Sequence, residues 1–320
     1  SDRFLYCQQR KASSYQSIIM FYRLKLLNLN NRMNKIKAIV RVILRYVLAL
    51  ISWPERRKMK IRGGNARWLA EAVSESLWFK PGCDEKQRID AIENFRKNLE
   101  TSAKTINVID YGAGDSKSSR SDEEMYNGVS DSRVVGSVCR SASKPAFWAL
   151  ILYKIIIKSK PSNCVELGTC LGISAMMQAA ALKINEFGQL VSLEGSPELA
   201  ELSAENLSLT GYDNVQVVCG RFSDTFAQVL NQLHTVDYAF IDGHHDEKAT
   251  LQYFETILPF LSESAVLVFD DISWSDGMRR AWNQIKKHSS VAVSLDLRQM
   301  GICVIGSQTA KTEHYKITLI

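Results

Sequence analysis

The sequence predicts an α/β protein: a seven-stranded, mostly parallel sheet with its last strand antiparallel, helices on both faces, and a helical N-terminal extension. Three observations carry this. From Asn163 onward, short apolar runs alternate with helical patterns. Those runs are apolar nearly throughout rather than at every second residue, as strands covered on both faces require. The last two are joined only by Asp296 to Met300, too short for a helical crossover, so they should pair antiparallel.

Taken in order, the chain opens with little organisation over residues 1–32. Met33-Asn-Lys-Ile-Lys resembles a natural start, which makes the preceding residues a tag, leader or mistranslated flank. Residues 1–65 hold 15 Lys/Arg against 2 Asp/Glu, whereas the rest of the chain is mildly acidic, although the net charge is +6. We therefore read residues 1–62 as a basic arm, 63–139 as a helical and lid region, and 140–320 as the α/β domain. Within the arm, residues 36–53 are strongly apolar, with Lys37, Arg41 and Arg45 on one helical face. Its longest uncharged run is too short to cross a bilayer. Peripheral membrane contact through 36–53 and simple packing on the body are both open.

Helical patterns occupy Trp68 to Phe79 and Glu85 to Leu99, separated by Pro81-Gly82. Asp110-Tyr-Gly-Ala-Gly114 is like a nucleotide-binding turn, but a polar run follows it where a phosphate loop would open a helix. Residues 110–132 are accordingly read as a mobile segment or lid, with Arg120 and Arg133 as weak substrate contacts. A helix begins at Ser143-Lys-Pro-Ala, its proline near the first turn. Strands follow near 163–167, 189–194, 214–219, 236–242, 265–270, 290–296 and 301–306. Helices are expected near 172–186, 197–210, 223–233, 247–261 and 275–288. Seven cysteines, none spaced as Cys-x-x-Cys, argue for a reducing, cytoplasmic compartment and against a zinc knuckle.

The first strand of the alternating region leads into Glu166-Leu-Gly-Thr-Cys-Leu-Gly-Ile-Ser174. A strand that turns through Gly168 and Gly172 onto a helix N-terminus suits an anionic or carboxylate-bearing ligand. NAD is disfavoured, because its loop is Gly-x-Gly-x-x-Gly and a carboxylate such as Glu166 at the loop mouth would repel pyrophosphate. An ammonium or sulfonium would be welcome there, with Thr169 and Ser174 as hydroxyl donors to a carboxylate. Glu194, ending the second strand, is placed to accept from ribose hydroxyls; its plainer reading is a cap for the helix at Pro197.

Glu166-Leu-Gly-x-x-x-Gly-x-Ser174 followed by Glu194 resembles class I S-adenosylmethionine-dependent methyltransferases. It is closer to the catechol and caffeoyl-CoA O-methyltransferase branch, with its Rossmann-like fold. The resemblance spans roughly residues 140–306. It implies S-adenosylmethionine as cofactor and an adenine site near Arg221 and Phe222.

Asp242, Asp270 and Asp271 stand at the ends of neighbouring strands, a repulsive set unless a cation neutralises it. The resemblance implies a divalent metal on these three, Mg²⁺ by preference, although the catechol-type enzymes usually carry Asn where Asp271 stands. It also puts a Lys or His three residues past Asp242, which makes His245 the expected base, with Asp242 beside it and the cofactor. His244 is its rival. Trp274, Met278 and Trp282 form an apolar stripe in which Trp274 could wall an acceptor pocket; Tyr111, Arg298 and Met300 are weaker choices. The expected activity is metal-assisted O-methylation of a small hydroxylated acceptor. The alternatives are metal-independent transfer to another atom and a non-catalytic cofactor-binding protein docked by its basic arm. The body lacks interleaved aromatic and basic residues, so no nucleic-acid partner is expected.

Overall fold

A computed structural model describes residues 40, 43–44, 46–78, 81–115, 118–306 and 312–319. The chain divides into two compact units, Ser1–Ile51 and Ser52–Ile320. In the first, residues 46–51 are helical, with Tyr46, Val47, Leu50 and Ile51 exposed. The proposed leader, 1–32, lies outside the described residues. No helix among the described residues is long and apolar enough to cross a membrane.

The second unit starts with helix α1 (Trp53–Arg62), α2 (Gly64–Leu77) and α3 (Cys83–Glu100). α1 packs on α2, and its Arg62 pairs with Glu313 at the far end of the chain. The second unit begins at Ser52, so it takes in α1 of the stretch 1–62. α2 presents Ala66, Leu69, Ala70 and Val73 inward, on one helical stripe, against the later helix α6.

A two-stranded ribbon brackets the stretch 110–132, read above as a mobile segment or lid. β1 (Thr105–Asp110) pairs antiparallel with β4 (Val129–Val134), and the connection holds the short strands β2 (Gly114–Asp115) and β3 (Ser118–Ser119) and helix α4 (Asp122–Asn127). Period-2 burial of Ile106 and Val108 sets which face of β1 turns inward. The N–H groups of Asn107 and Ile109 donate to Glu198 (2.8 Å) and Ser196 (3.1 Å), which fixes the end of β1 beside the main sheet.

After α5 (Val135–Ala142) and α6 (Ala146–Ser159) comes the sheet. Its strands are β5 (Asn163–Leu167), β6 (Gln189–Glu194), β7 (Val215–Cys219), β8 (Val236–Ile241), β9 (Leu261–Phe269), β10 (Val291–Asp296), β11 (Gly301–Ile305) and β12 (Glu313–Lys316). The intervening helices are α7 (Ile173–Asn185), α8 (Pro197–Leu209), α9 (Phe222–Leu233), α10 (Glu247–Ile257) and α11 (Asp276–Ile285). The spatial order is β12-β10-β11-β9-β8-β5-β6-β7. β11 is antiparallel to both neighbours, as expected of the seventh strand. The sheet nevertheless has eight strands rather than seven: β12 adds an edge strand parallel to β10. Its signal is short because only Tyr315 of its four residues is buried. Strand order reverses at β5, between β6 and β8, and ligands of open α/β sheets settle beyond such a reversal.

Candidate functional site

Beyond the carboxyl end of β5 lies a cavity of about 560 Å³. Its walls include Gly168, Thr169, Ser174, Glu194, Arg221, Phe222, Asp242, His245, Asp271 and Trp274. Sequence positions spread over more than a hundred residues thus meet because β6, β5 and β8 end side by side.

The loop after β5 is shaped by a close approach. Gly168 has φ +105°, and a Cβ there would lie 2.2 Å from the carbonyl oxygen of Asp242, so only glycine fits. Gly172, at φ +85°, precedes α7 and has no neighbour nearer than 3.6 Å to its own would-be Cβ. The N–H groups of Gly168 and Thr169 both donate to the Leu193 carbonyl, at 2.9 and 3.2 Å, while that of Cys170 donates to Glu194 Oε2 at 2.8 Å. These three N–H groups therefore turn toward β6. A phosphate-cradling loop would aim them at the ligand, so pyrophosphate is a poor guest.

Glu166 departs from expectation. It does not line the cavity; it is wholly buried beneath the loop. It sits opposite Ser192 in the β5–β6 register, and its two oxygens accept from Ser192 Oγ (2.5 Å) and Gln178 Nε2 (2.6 Å). Burial pushes its carboxyl up to about 7, and Ser192, Ser174 and Gln178 counter part of that rise. Glu166 is a brace joining β5, β6 and α7, not a ligand at the mouth. Thr169 keeps its place in the wall, but its hydroxyl is shared with Ser192 at 2.6 Å.

Glu194 faces the cavity while its Oε2 and Oε1 accept from Cys170 N–H and Ser196 N–H, at 2.8 and 2.9 Å. Burial raises its carboxyl to about 7 against those bonds. Each oxygen retains a second lone pair, so the residue can brace two loops and still accept from a diol. Arg221 stacks on the Tyr126 ring at 4.4 Å and pairs with Asp224 at 2.7 Å. Phe222 is nearly buried; its ring lies edge-on to His244.

At the end of β8, the Asp242 backbone N–H donates to Leu167 O. His245 Nε2 stands 3.8 Å from Asp242 Oδ1 and 4.0 Å from Asp271 Oδ2. Its ring lies 6.2 Å from that of Trp274, which does wall the cavity. Its rival, His244, holds Tyr253 Oη through Nδ1 at 2.7 Å, and burial lowers its pKa. Met278 and Trp282 are core residues, Trp282 donating to Asp296 Oδ2. Met300 is fully buried and Arg298 borders a separate depression, so neither reaches the cavity. Tyr111 and Arg133 line it; Arg120 instead holds the Asp110 and Gly112 carbonyls.

One side chain that sequence reasoning passed over stands among the expected metal ligands. Lys144 Nζ is hydrogen-bonded to Asp270 Oδ2 and lies 3.1 Å from Asp242 Oδ2. Burial opposes its charge, but Asp242 and Asp270 outweigh that and keep the ammonium protonated. Asp271 turns elsewhere, toward His245 and Gln299. Among the described residues no group of three or more His, Cys, Asp or Glu is gathered to hold a metal ion. Asp242, Asp270 and Asp271 therefore do not fit a divalent cation: the positive charge that their repulsion calls for is supplied by the chain. Asp270 Oδ1 has no hydrogen-bond donor; burial, and Asp242 beside it, push this carboxyl above the usual carboxylate range.

Residues 165–272 match the family model described as a methyltransferase domain. The match takes in 108 of the chain's 320 residues. The chain also aligns with protein-L-isoaspartate O-methyltransferase 1 of Archaeoglobus fulgidus, 36% identical over 70 residues. That match takes in 22% of this chain and only 32% of the relative's own length. Similar solved structures include an O-methyltransferase from Bacillus cereus in complex with S-adenosylhomocysteine, at 21% identity and a TM-score of 0.46. The likeness covers 52% of this chain and 84% of that one. A methyltransferase from Podospora anserina with S-adenosylhomocysteine bound is 16% identical over 52% of this chain and 80% of its own, with a TM-score of 0.46.

Proposed function

We propose that the protein uses S-adenosylmethionine to methylate an oxygen of a small hydroxylated acceptor. The observation that carries this reading is one cavity that holds both Glu194 after β6 and the Asp242–His245 turn after β8, on either side of Gly168. The donor set fits the cofactor. Glu194 has lone pairs left for the ribose diol, Phe222 offers an apolar face for a base, and Asp242 offers an anion for the amino-acid end.

When bound, S-adenosylmethionine supplies a sulfonium methyl that leaves sulfur as the acceptor oxygen bonds to it. His245 takes the acceptor's proton at Nε2 and passes it to solvent. Asp242 Oδ1 and Asp271 Oδ2 stand 3.8 and 4.0 Å from that nitrogen. Trp274 walls the acceptor side and limits how the hydroxyl can approach. His244 is not the base in this reading, since Tyr253 holds its Nδ1 and burial disfavours its charge. Lys144 already sets a positive charge against the Asp242–Asp270 pair.

The test is calorimetric binding of S-adenosylhomocysteine, NAD and NADP, followed by transfer of a labelled methyl group to a panel of phenols, sugars and polyketides. Binding of S-adenosylhomocysteine alone supports the reading. Tight NAD or NADP binding without it would overturn the cofactor assignment. Transfer only to nitrogen or carbon acceptors would overturn the oxygen specificity.

We also propose that the exposed apolar residues Ile43, Tyr46, Val47, Leu50 and Ile51 give the first unit peripheral contact with a cytoplasmic membrane surface.

A further inference from the structure

We propose that Lys144 is the resident cation of the crevice, that it excludes divalent metal from Asp242 and Asp270, and that methyl transfer by this chain is metal-independent. The metal-independence clause rests on the methyltransferase reading above; the exclusion of metal rests on geometry alone.

Lys144 reaches the site from an unexpected direction. It precedes α6, a helix whose residues Trp148 to Ile156 are buried throughout, and Pro145 stands between them as its N-cap. The backbone at Lys144 is thus anchored to the core. Its side chain crosses to the ends of β8 and β9, where Nζ lies 5.8 Å from the centre of the Phe240 ring. Lys144 is 7% exposed and Asp270 1% exposed. Lys144 is also among the residues that line the cavity, so its ammonium stands in the wall of the crevice.

A divalent ion would need the same oxygens. Mg²⁺ binds carboxylates at about 2.1 Å in a near-octahedral shell, and Nζ already occupies Asp242 Oδ2 and Asp270 Oδ2. A metal there would lie within a few ångströms of a fixed positive charge, with strong mutual repulsion. The third carboxylate cannot compensate, because Asp271 is committed to Gln299 and faces His245. Lys144 therefore does for the carboxylate pair what a metal does elsewhere, and acts as a positioning residue for Asp242 and, through it, for His245.

The test is Mn²⁺ binding followed by electron paramagnetic resonance, which needs neither cofactor nor turnover. The full chain should leave the free-ion signal unchanged up to millimolar Mn²⁺. Lys144→Gln and Lys144→Ala, checked for native circular dichroism, should bind Mn²⁺ at least tenfold more tightly, and Lys144→Arg should remain refractory. Sub-millimolar binding by the unaltered protein overturns the proposal, as do folded Gln or Ala variants that still bind nothing. If neither variant folds, the unaltered protein decides it. Turnover within twofold after exhaustive chelation is expected, and its loss would overturn metal independence. Failure of S-adenosylhomocysteine to bind would instead remove the methyltransferase reading and leave the Mn²⁺ result standing.

Discussion

Replacing Glu194 by Gln separates a structural brace from a cofactor contact. The carboxylate accepts from two backbone N–H groups, Cys170 at 2.8 Å and Ser196 at 2.9 Å, and it is 8% exposed. Burial lifts its pKa from about 4.3 to about 7. A raised carboxyl favours the fold most below the unfolded-state value and loses that contribution as pH rises through 7. At pH 8 the ionised form thus costs about 3 to 4 kcal/mol, at about 1.4 kcal/mol per pKa unit. Gln is neutral and escapes this cost, but its amide NH₂ cannot accept, so one N–H loses its partner at about 1–3 kcal/mol. The difference, about 0–3 kcal/mol in favour of the variant, should raise the melting temperature at pH 8 by several degrees at most.

Cofactor affinity should not cancel in this way. A ribose diol donates to the carboxylate, and hydrogen bonds to a charged group contribute about 1.5–3 kcal/mol. Isothermal titration with S-adenosylhomocysteine at pH 8 should therefore show Kd weakened roughly 10- to 100-fold in Glu194→Gln. At pH 6 the native residue is itself largely protonated, so the gap should narrow. A native Kd in the variant at pH 8, or a gap identical at both pH values, would mean that Glu194 only braces the loops.

Gly168→Ala should be far more damaging than Gly172→Ala. The first forces a Cβ onto the Asp242 carbonyl at positive φ and should cost about 2–5 kcal/mol from strain and overpacking together, read as a fall in melting temperature. The second meets Leu207 and Ser203 only at 3.6 Å, an ordinary contact, and should cost about 1–2 kcal/mol. His245→Ala should lower kcat about 100- to 10,000-fold while S-adenosylhomocysteine binds as before; equal loss in His244→Ala with His245→Ala near native would transfer the base to His244. Removing residues 1–51 should abolish sedimentation with anionic vesicles, and binding of the full chain should weaken with salt. Unchanged partitioning would end the membrane proposal.

Much of the sheet was legible because burial on both faces leaves long apolar runs, and β5 to β11 carry them. β12 was not, since a four-residue edge strand with one buried side chain has no periodic signature. The ribbon of β1 and β4 was obscured by its polar composition: β4 reads Val-Ser-Asp-Ser-Arg-Val and is mostly exposed. It holds its register through backbone bonds and through Glu198 and Ser196, both distant in sequence. Within the site, positions at strand ends were identifiable because a strand fixes where its last residue lies. Arg298 and Met300 follow β10 and were wrongly grouped with them, since the antiparallel turn to β11 closes on itself, with Leu297 N–H bonded to Met300 O.

The charged residues failed in two opposite ways, and the reason is common to both. Glu166 was credited with a ligand because its sequence neighbours are the glycines of the loop, yet strand alternation turns it inward to Ser192 and Gln178. Asp242, Asp270 and Asp271 were credited with a metal because carboxylates at neighbouring strand ends repel one another and the resemblance puts a divalent ion there. Their cation comes instead from Lys144, which lies 126 residues before Asp270 and leads a helix on another layer. Electrostatic need is visible in a sequence, since three clustered carboxylates cannot stand uncompensated. The identity of the compensating group depends on three-dimensional proximity, and an apolar helix such as α6 gives no hint that its leading lysine reaches over the sheet. The same cluster with Lys144 removed would again call for an external cation, which is why the Mn²⁺ response of Lys144→Gln discriminates between the two origins of that charge.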